Sequence, residues 1–281
     1  MVERRGWFDV LAYVVLLAGV AVVFLPVWVT LVASTRSADE VLAVPMSLWP
    51  GAHAIENYTA ALGAGAGNAG LPGARMMGVS LICALALAIG KIAISLLSAF
   101  AIVYWRFRFR RLCFWLIFVT LMLPVEVRIL PTFKVVADFG MLNSWAGLTL
   151  PLIASATATF LFRQFFMTLP DELVEAARID GAGPLRFFRD MLLPLSRTNI
   201  AALSVSLFIY GWVQYLWPTL VTTDPKYYTI VMGIRRLVAV AEADPQWNFV
   251  MAAVILAMLP PVLVVVFMQR LFVKGLIETE K

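Results

Sequence analysis

Histidine, cysteine and charge are what this chain has least of. One His and two Cys stand among 281 residues, and Asp, Glu, Lys and Arg together make up 14%. A soluble domain carries roughly 25% charged residues, so an ordinary aqueous globular fold is excluded. His53 stands alone, and Cys83 and Cys113 both fall in apolar segments. That inventory builds neither a disulfide framework nor a His/Cys metal site, and neither a metal nor any other cofactor is expected. There is no nucleophile–base constellation that would mark an enzyme. The phosphate-cradling pattern G-x-x-x-x-G-K-[ST] is missing too, so ATP is not expected to be hydrolysed on this chain.

What the chain has in abundance is apolar length. It is 62% hydrophobic with a mean hydropathy of +0.89. Crossing a bilayer takes about 20 apolar residues. Six runs of about that length occur, at about 10–33, 79–104, 112–131, 144–162, 199–221 and 248–272. The expected fold is all-α: a single transmembrane domain over residues 1–281 with six membrane helices. The first run exceeds the core of a secretory signal, which is about 7–15 residues, and reads as an anchor with a kink at Pro26. A long polar connection follows from Ser34 to about Arg75, with Pro45, Pro50 and a glycine-rich tract from Gly63 to Gly73. Within it Gly65, Gly67 and Gly70 satisfy G-x-G-x-x-G. No strand or βαβ unit surrounds them, so a flexible extracytoplasmic loop is expected. The glycosylation pattern Asn57-Tyr58-Thr59 is set aside.

A net charge of +5 is compatible with nucleic acid as a partner, but its distribution argues against that. With six spans, the segments on the side of the termini hold 14 Lys and Arg. The opposite loops hold 7, and Lys91 lies inside a span. The positive-inside rule then places both termini, the Arg106–Arg111 tract and the loop after the fourth span in the cytoplasm.

Ionisable residues within spans are functional candidates. Lys91 sits about halfway along the second span, and Glu126 and Arg128 lie near the end of the third. These three are read as a substrate pathway, in which Lys91 either meets an anionic group or satisfies itself structurally. The small-residue run from Ala154 to Thr159 favours close helix approach. Trp212, Tyr215 and Trp217 read as an interfacial aromatic belt.

The most organised stretch is the polar island Glu175-Ala176-Ala177-Arg178-Ile179-Asp180-Gly181, followed by Met191-Leu192-Leu193-Pro194. Pro170 suits the first position of a helix and Gly181 its left-handed end. Leu173, Ala176 and Ala177 fall at i, i+3 and i+4, forming an apolar face with two small residues that a partner can approach closely. Pro184 suits the start of a second short helix, and Pro194 bars its smooth continuation. Glu175 either contacts a partner or pairs with Arg178.

This E-A-A, three residues, G, nine residues, hydrophobic, any residue, L-P pattern resembles the signature loop of bacterial ABC-importer permeases, with Met191 where that family usually has Ile. Pro124 to Pro131, Leu169 to Leu173, Trp212 to Pro218 and Phe272 to Leu276 resemble carbohydrate-importer permeases of the maltose type. Leu123 to Ile129, Ser155 to Gly181 and the tail Glu278 to Lys281 are similar to glycerol-phosphate importer permeases. The resemblance implies a type I importer permease with a coupling helix, working by alternating access in the bacterial inner membrane. It implies four kinds of neighbour: a second, different permease, two copies of an ATP-binding subunit, an extracytoplasmic substrate-binding protein, and lipid. Glu175, Ala176, Ala177, Asp180, Gly181, Leu193 and Pro194 would form the ATPase-coupling loop. The implied cargo is sn-glycerol-3-phosphate or a glycerophosphodiester, with a neutral sugar or polyol as the alternative.

Overall fold

A computed structural model describes residues 6–63, 72–120, 123, 125–241 and 246–277. Gly65, Gly67 and Gly70, Pro124 and the tail from Glu278 to Lys281 lie outside the described residues. Secondary structure among the described residues is helical throughout. The chain opens with α1 (Gly6–Ala33), α2 (Ala38–Leu42), α3 (Ala54–Leu62) and α4 (Gly73–Tyr104). Next come α5 (Arg110–Val119), α6 (Val125–Asp138), α7 (Trp145–Thr149), α8 (Ala156–Thr168) and α9 (Asp171–Ile179). After these lie α10 (Pro184–Phe187), α11 (Leu193–Leu195), α12 (Arg197–Trp212), α13 (Leu216–Val221), α14 (Ile230–Ala241) and α15 (Trp247–Ile277).

Three helices, Trp7–Ala33, Gly73–Tyr104 and Trp247–Gln269, are long and apolar enough to cross a membrane on their own. Among the described residues two bent pairs pass the same test of length and composition only when each is taken as one span: Trp145–Leu152 with Ala156–Thr168, at 46°, and Pro184–Leu195 with Arg197–Trp212, at 72°. The 72° bend sets the first segment of the second pair off from the span. The expected run 112–131 falls on α5 and α6 as two shorter helices. Residues 121, 122 and 124 between them are outside the described part. Bending at the fourth run has a local cause. Pro151 sits in the short 3-10 turn Leu150–Leu152, and Ser155 restarts the helix by accepting the backbone N–H of Ala158 at 3.3 Å.

The chain divides into two compact units. One comprises Met1–Met76 and Gly233–Leu259. Within it α1 exposes aliphatic side chains all round, with Val22 and Val23 71% and 74% exposed. A helix apolar on every face belongs in lipid. The polar connection from Ser34 to about Arg75 carries α2 and α3 ahead of its glycine-rich tract. Ser37 caps α2 through a reciprocal pair with Glu40. Asn57 ties α3 down: its amide donates to the carbonyls of Ser34 and Arg36 at 2.9 and 2.8 Å and accepts from Asn248 at 2.9 Å. That use of the Asn57 side chain is structural, so the glycosylation pattern has no bearing here. A small core of Leu237, Ala241, Val250 and Ala253 completes the unit.

The second unit comprises Met77–Met232 and Pro260–Lys281. Small residues set its helix spacing. A Cβ on Gly211 of α12 would stand 2.8 Å from Cα of Ala84 on α4, so the two backbones meet there. Close approach of α8 to α4 follows from its small N-terminal residues. Ala158 and Thr159 are buried, and Ser95 Oγ donates to the Ser155 carbonyl at 3.2 Å. The aromatic belt expected at Trp212 to Trp217 is corrected here. Trp212 and Trp217 are buried, Trp212 stacks on Phe208, and Trp217 Nε1 donates to the Gly147 carbonyl at 3.0 Å. Their large rings fill the gaps between helices, and of the three only Tyr215 keeps substantial exposure.

Candidate functional site

The loop between α8 and α12 is built by backbone chemistry. Pro170 (φ −62°, ψ 141°) stands one position before α9, at its N-cap, not inside the first turn as expected. Its extended ψ leads the chain into the helix. Asp171 and Glu172 occupy the first turn and Arg178 the last, each sign matching the helix dipole. Gly181 adopts φ +68°. Gly181 N–H donates to the Arg178 carbonyl at 3.1 Å, and Ala182 N–H to the Ala177 carbonyl at 2.8 Å. Those two bonds are the paired closure of a Schellman end.

The face that α9 presents to its own chain differs from the expected one. Ala177 is 4% exposed and joins a core of Leu96, Phe100, Phe162, Phe166, Phe187 and Leu192. Val174, three residues earlier, packs on the same core, as do Ala182 and Leu193. Ala176 and Glu175 point outward. Among the described residues Glu175 makes no ion pair with Arg178. A cavity of about 440 Å³ lies behind α9, bordered by Phe100, Tyr104, Val174 and Phe187, with Arg106 and Arg178 at its polar side.

Beyond Gly181, α10 starts at Pro184. Pro194 does not interrupt the helical path as expected. A π turn over Phe188–Leu192 precedes it and runs directly into α11. The wider turn spares the carbonyl that the proline ring would strike and needs no N–H from Pro194. The real bend comes at Ser196, whose Oγ donates to the Leu192 carbonyl at 2.6 Å. Two large apolar side chains are left in the open on this loop, Ile179 at 85% and Leu185 at 81% exposure. Motif spacing does not single them out; their signal was an apolar residue on either side of a polar turn. Arg189 donates to Asp190 at 2.8 Å, and Arg186 lies 3.6 Å from the same carboxylate. The Arg189 hydrogen bond holds the Asp190 carboxyl below its usual range.

The second candidate lies at the middle of α4. Lys91 is 7% exposed, and its Nζ stands 4.3 Å from the ring centroid of Tyr210 on α12. Attraction to the ring face stabilises an ammonium that has left water. No carboxylate pairs with it among the described residues. Arg128 of α6, a second cation, is a charged neighbour of it among the described residues. Glu126 lies in the first turn of α6, and its side chain is outside the described part. Among the described residues no cluster of His, Cys, Asp and Glu forms a metal site.

Residues 91–278 match the model of the family described as binding-protein-dependent transport system inner membrane component. The chain is 59% identical to the sn-glycerol-3-phosphate transport system permease protein UgpE of Agrobacterium fabrum, over 100% of both chains. It is 58% and 56% identical, again over 100% of both, to the proteins of that name from Brucella melitensis and Escherichia coli. A bacterial ABC transporter involved in importing the acidic polysaccharide alginate has a chain of the same fold. It matches with a TM-score of 0.81 at 18% identity, covering 96% of this chain and 98% of that one. A helical chain with membrane-crossing helices, a capped loop helix and a match over two thirds of its length to one family model is thereby placed: it belongs to the binding-protein-dependent transport system inner membrane components, the permeases of ABC importers.

Proposed function

We propose that this chain is a permease subunit of an ATP-driven importer of sn-glycerol-3-phosphate or glycerophosphodiesters. The observation that carries this reading is full-length identity of 56–59% to permeases bearing that name. Chemistry supports it from a second direction. A buried ammonium at Lys91, unpaired with any carboxylate among the described residues and with Arg128 as a cationic neighbour, suits an anionic phosphate better than a neutral sugar.

In this reading the complex holds a second permease, two ATP-binding subunits and an extracytoplasmic binding protein. Lys and Arg are concentrated in the terminal segments, the Arg106–Arg111 tract and the 163–197 loop, which favours a cytoplasmic location for all of them. The loop of α9 and α10 is then the part an ATPase subunit reaches. Glu175 and Asp180 offer its polar contacts, the exposed methyl of Ala176 allows close approach, and exposed Ile179 and Leu185 supply its apolar contacts. Ala177, Gly181, Leu193 and Pro194 fix the loop's shape and anchor it to α4 and α8. Closing of the ATPase subunits pushes the docked helix. Through the Ala177 and Leu193 packing, that push moves the spans from inward-facing to outward-facing.

The experiment is ATP hydrolysis by the reconstituted complex in the presence of its binding protein. Hydrolysis should rise when the binding protein carries glycerol-3-phosphate. A complex stimulated only by a neutral sugar, or a chain that brings down no ATPase subunit, would contradict the proposal.

A further inference from the structure

The transport reading leaves unassigned the densest block of charge in the chain. Between α4 and α5 aromatic and basic residues alternate: Trp105, Arg106, Phe107, Arg108, Phe109, Arg110, and then Arg111. A cleft of about 560 Å³ opens there, lined solely by residues 106–112. Four arginines therefore border one space. Among the described residues none of the four pairs with a carboxylate. A fifth cation, Arg163 of α8, lies 4.2 Å from the Phe114 ring on α5, and its Nε is buried without an acceptor. Guanidinium groups do not titrate away near neutrality, so crowding of this kind calls for an anion.

The apolar neighbours indicate which anion. Trp105, Phe107 and Phe109 are 52%, 40% and 59% exposed, and α5 continues with Leu112, Trp115 and Leu116 at 55%, 57% and 60%. Water would leave that surface unsatisfied, whereas a headgroup layer accommodates aromatic rings and cations together. α4 is a membrane-crossing helix that ends at Tyr104, so the block sits where the chain leaves the hydrocarbon. A free phosphate offers the same oxygens but no acyl chains for these rings to lie against.

We infer that the Arg106–Arg111 turn binds the phosphate of an anionic phospholipid headgroup, with Trp105, Phe107 and Phe109 seated among the acyl chains. Planar guanidinium forks match phosphate oxygens two at a time. The inference is independent of the cargo.

The assembled complex in detergent, titrated with phosphatidylglycerol or phosphatidylcholine, reports bound lipid directly by native mass spectrometry. Wild type should favour phosphatidylglycerol by about tenfold or more, the scale expected of several basic residues near anionic lipid. Arg108→Gln/Arg111→Gln should abolish the preference, and Arg108→Lys/Arg111→Lys should keep most of it. If the glutamine pair does not assemble, Arg111→Gln alone should still lose several-fold. An unchanged preference in the glutamine variants overturns the site. Equilibrium dialysis of the lipid-depleted complex with inorganic phosphate separates the two sources. No saturable binding is expected, and saturable phosphate binding that disappears in the glutamine variants would overturn the lipid assignment in favour of a free-anion site.

Discussion

Ala182 donates its backbone N–H to the carbonyl of Ala177 at 2.8 Å, across a Gly181 held at φ +68°. One bond thus joins the residue that anchors α9 in the core to the turn that aims α10. No atom lies within 4 Å of where a Gly181 Cβ would sit, so a side chain there would meet backbone strain and not a clash. For a non-Gly residue in this region the cost is about 1–2 kcal/mol. Gly181→Val should leave the helices inserted but weaken association with the ATPase subunit or separate hydrolysis from uptake. Gly181→Asn should be milder, since Asn visits this conformation more readily. ATPase co-purification and substrate uptake measured on both variants check the point, and a Val variant that transports like wild type would refute it.

The exposed pair Ile179 and Leu185 is expected to be covered in the complex. Burying one such side chain contributes about 1.5–3 kcal/mol. Ile179→Asp or Leu185→Asp should each reduce ATPase recovery in pull-downs, while the variant chain still reaches the membrane in normal amount. Full recovery with both substitutions present would place the dock elsewhere.

Lys91 faces Tyr210 with no carboxylate among the described residues. Lys91→Met keeps the packing volume and removes the charge. Transport should fall while complex assembly and basal ATP hydrolysis stay near wild type. Normal transport, or failure to assemble, would assign Lys91 a structural role only.

Asn57 is 1% exposed and engages both its donor and acceptor atoms. Asn57→Leu leaves the Ser34 and Arg36 carbonyls without that donor and should destabilise by about 1–3 kcal/mol per orphaned buried group. Thermal inactivation of the purified complex at lower temperature would register it. An unchanged midpoint would show that water or neighbouring groups replace the amide.

Where backbone chemistry dictates the answer, the chain was readable in advance. Gly181 takes the left-handed conformation, and Pro184 starts α10, because few other residues suit those positions. Apolar length foretold α1 and α4 for the same reason: a bilayer imposes it. What was not readable depended on neighbours distant in sequence. Periodicity put Ala176 and Ala177 on one face, but only the core of Phe100, Phe187 and Leu192 decides that Ala177 turns inward and Ala176 outward. Trp212 and Trp217 carry the composition of an interfacial belt, yet the close approach of α12 to α4 and the Gly147 carbonyl bury them. Pro194 reads as a breaker until a π turn is allowed ahead of it. In the polar connection after α1, the long-range bonds of Asn57 that order α3 left no local pattern.

The most direct measurement is uptake of labelled glycerol-3-phosphate into proteoliposomes holding the assembled complex, its binding protein outside and ATP inside. The account predicts ATP-dependent accumulation that unlabelled glycerol-3-phosphate or a glycerophosphodiester suppresses and maltose does not. Accumulation suppressed by maltose alone, or no accumulation from a complex that hydrolyses ATP normally, would contradict it.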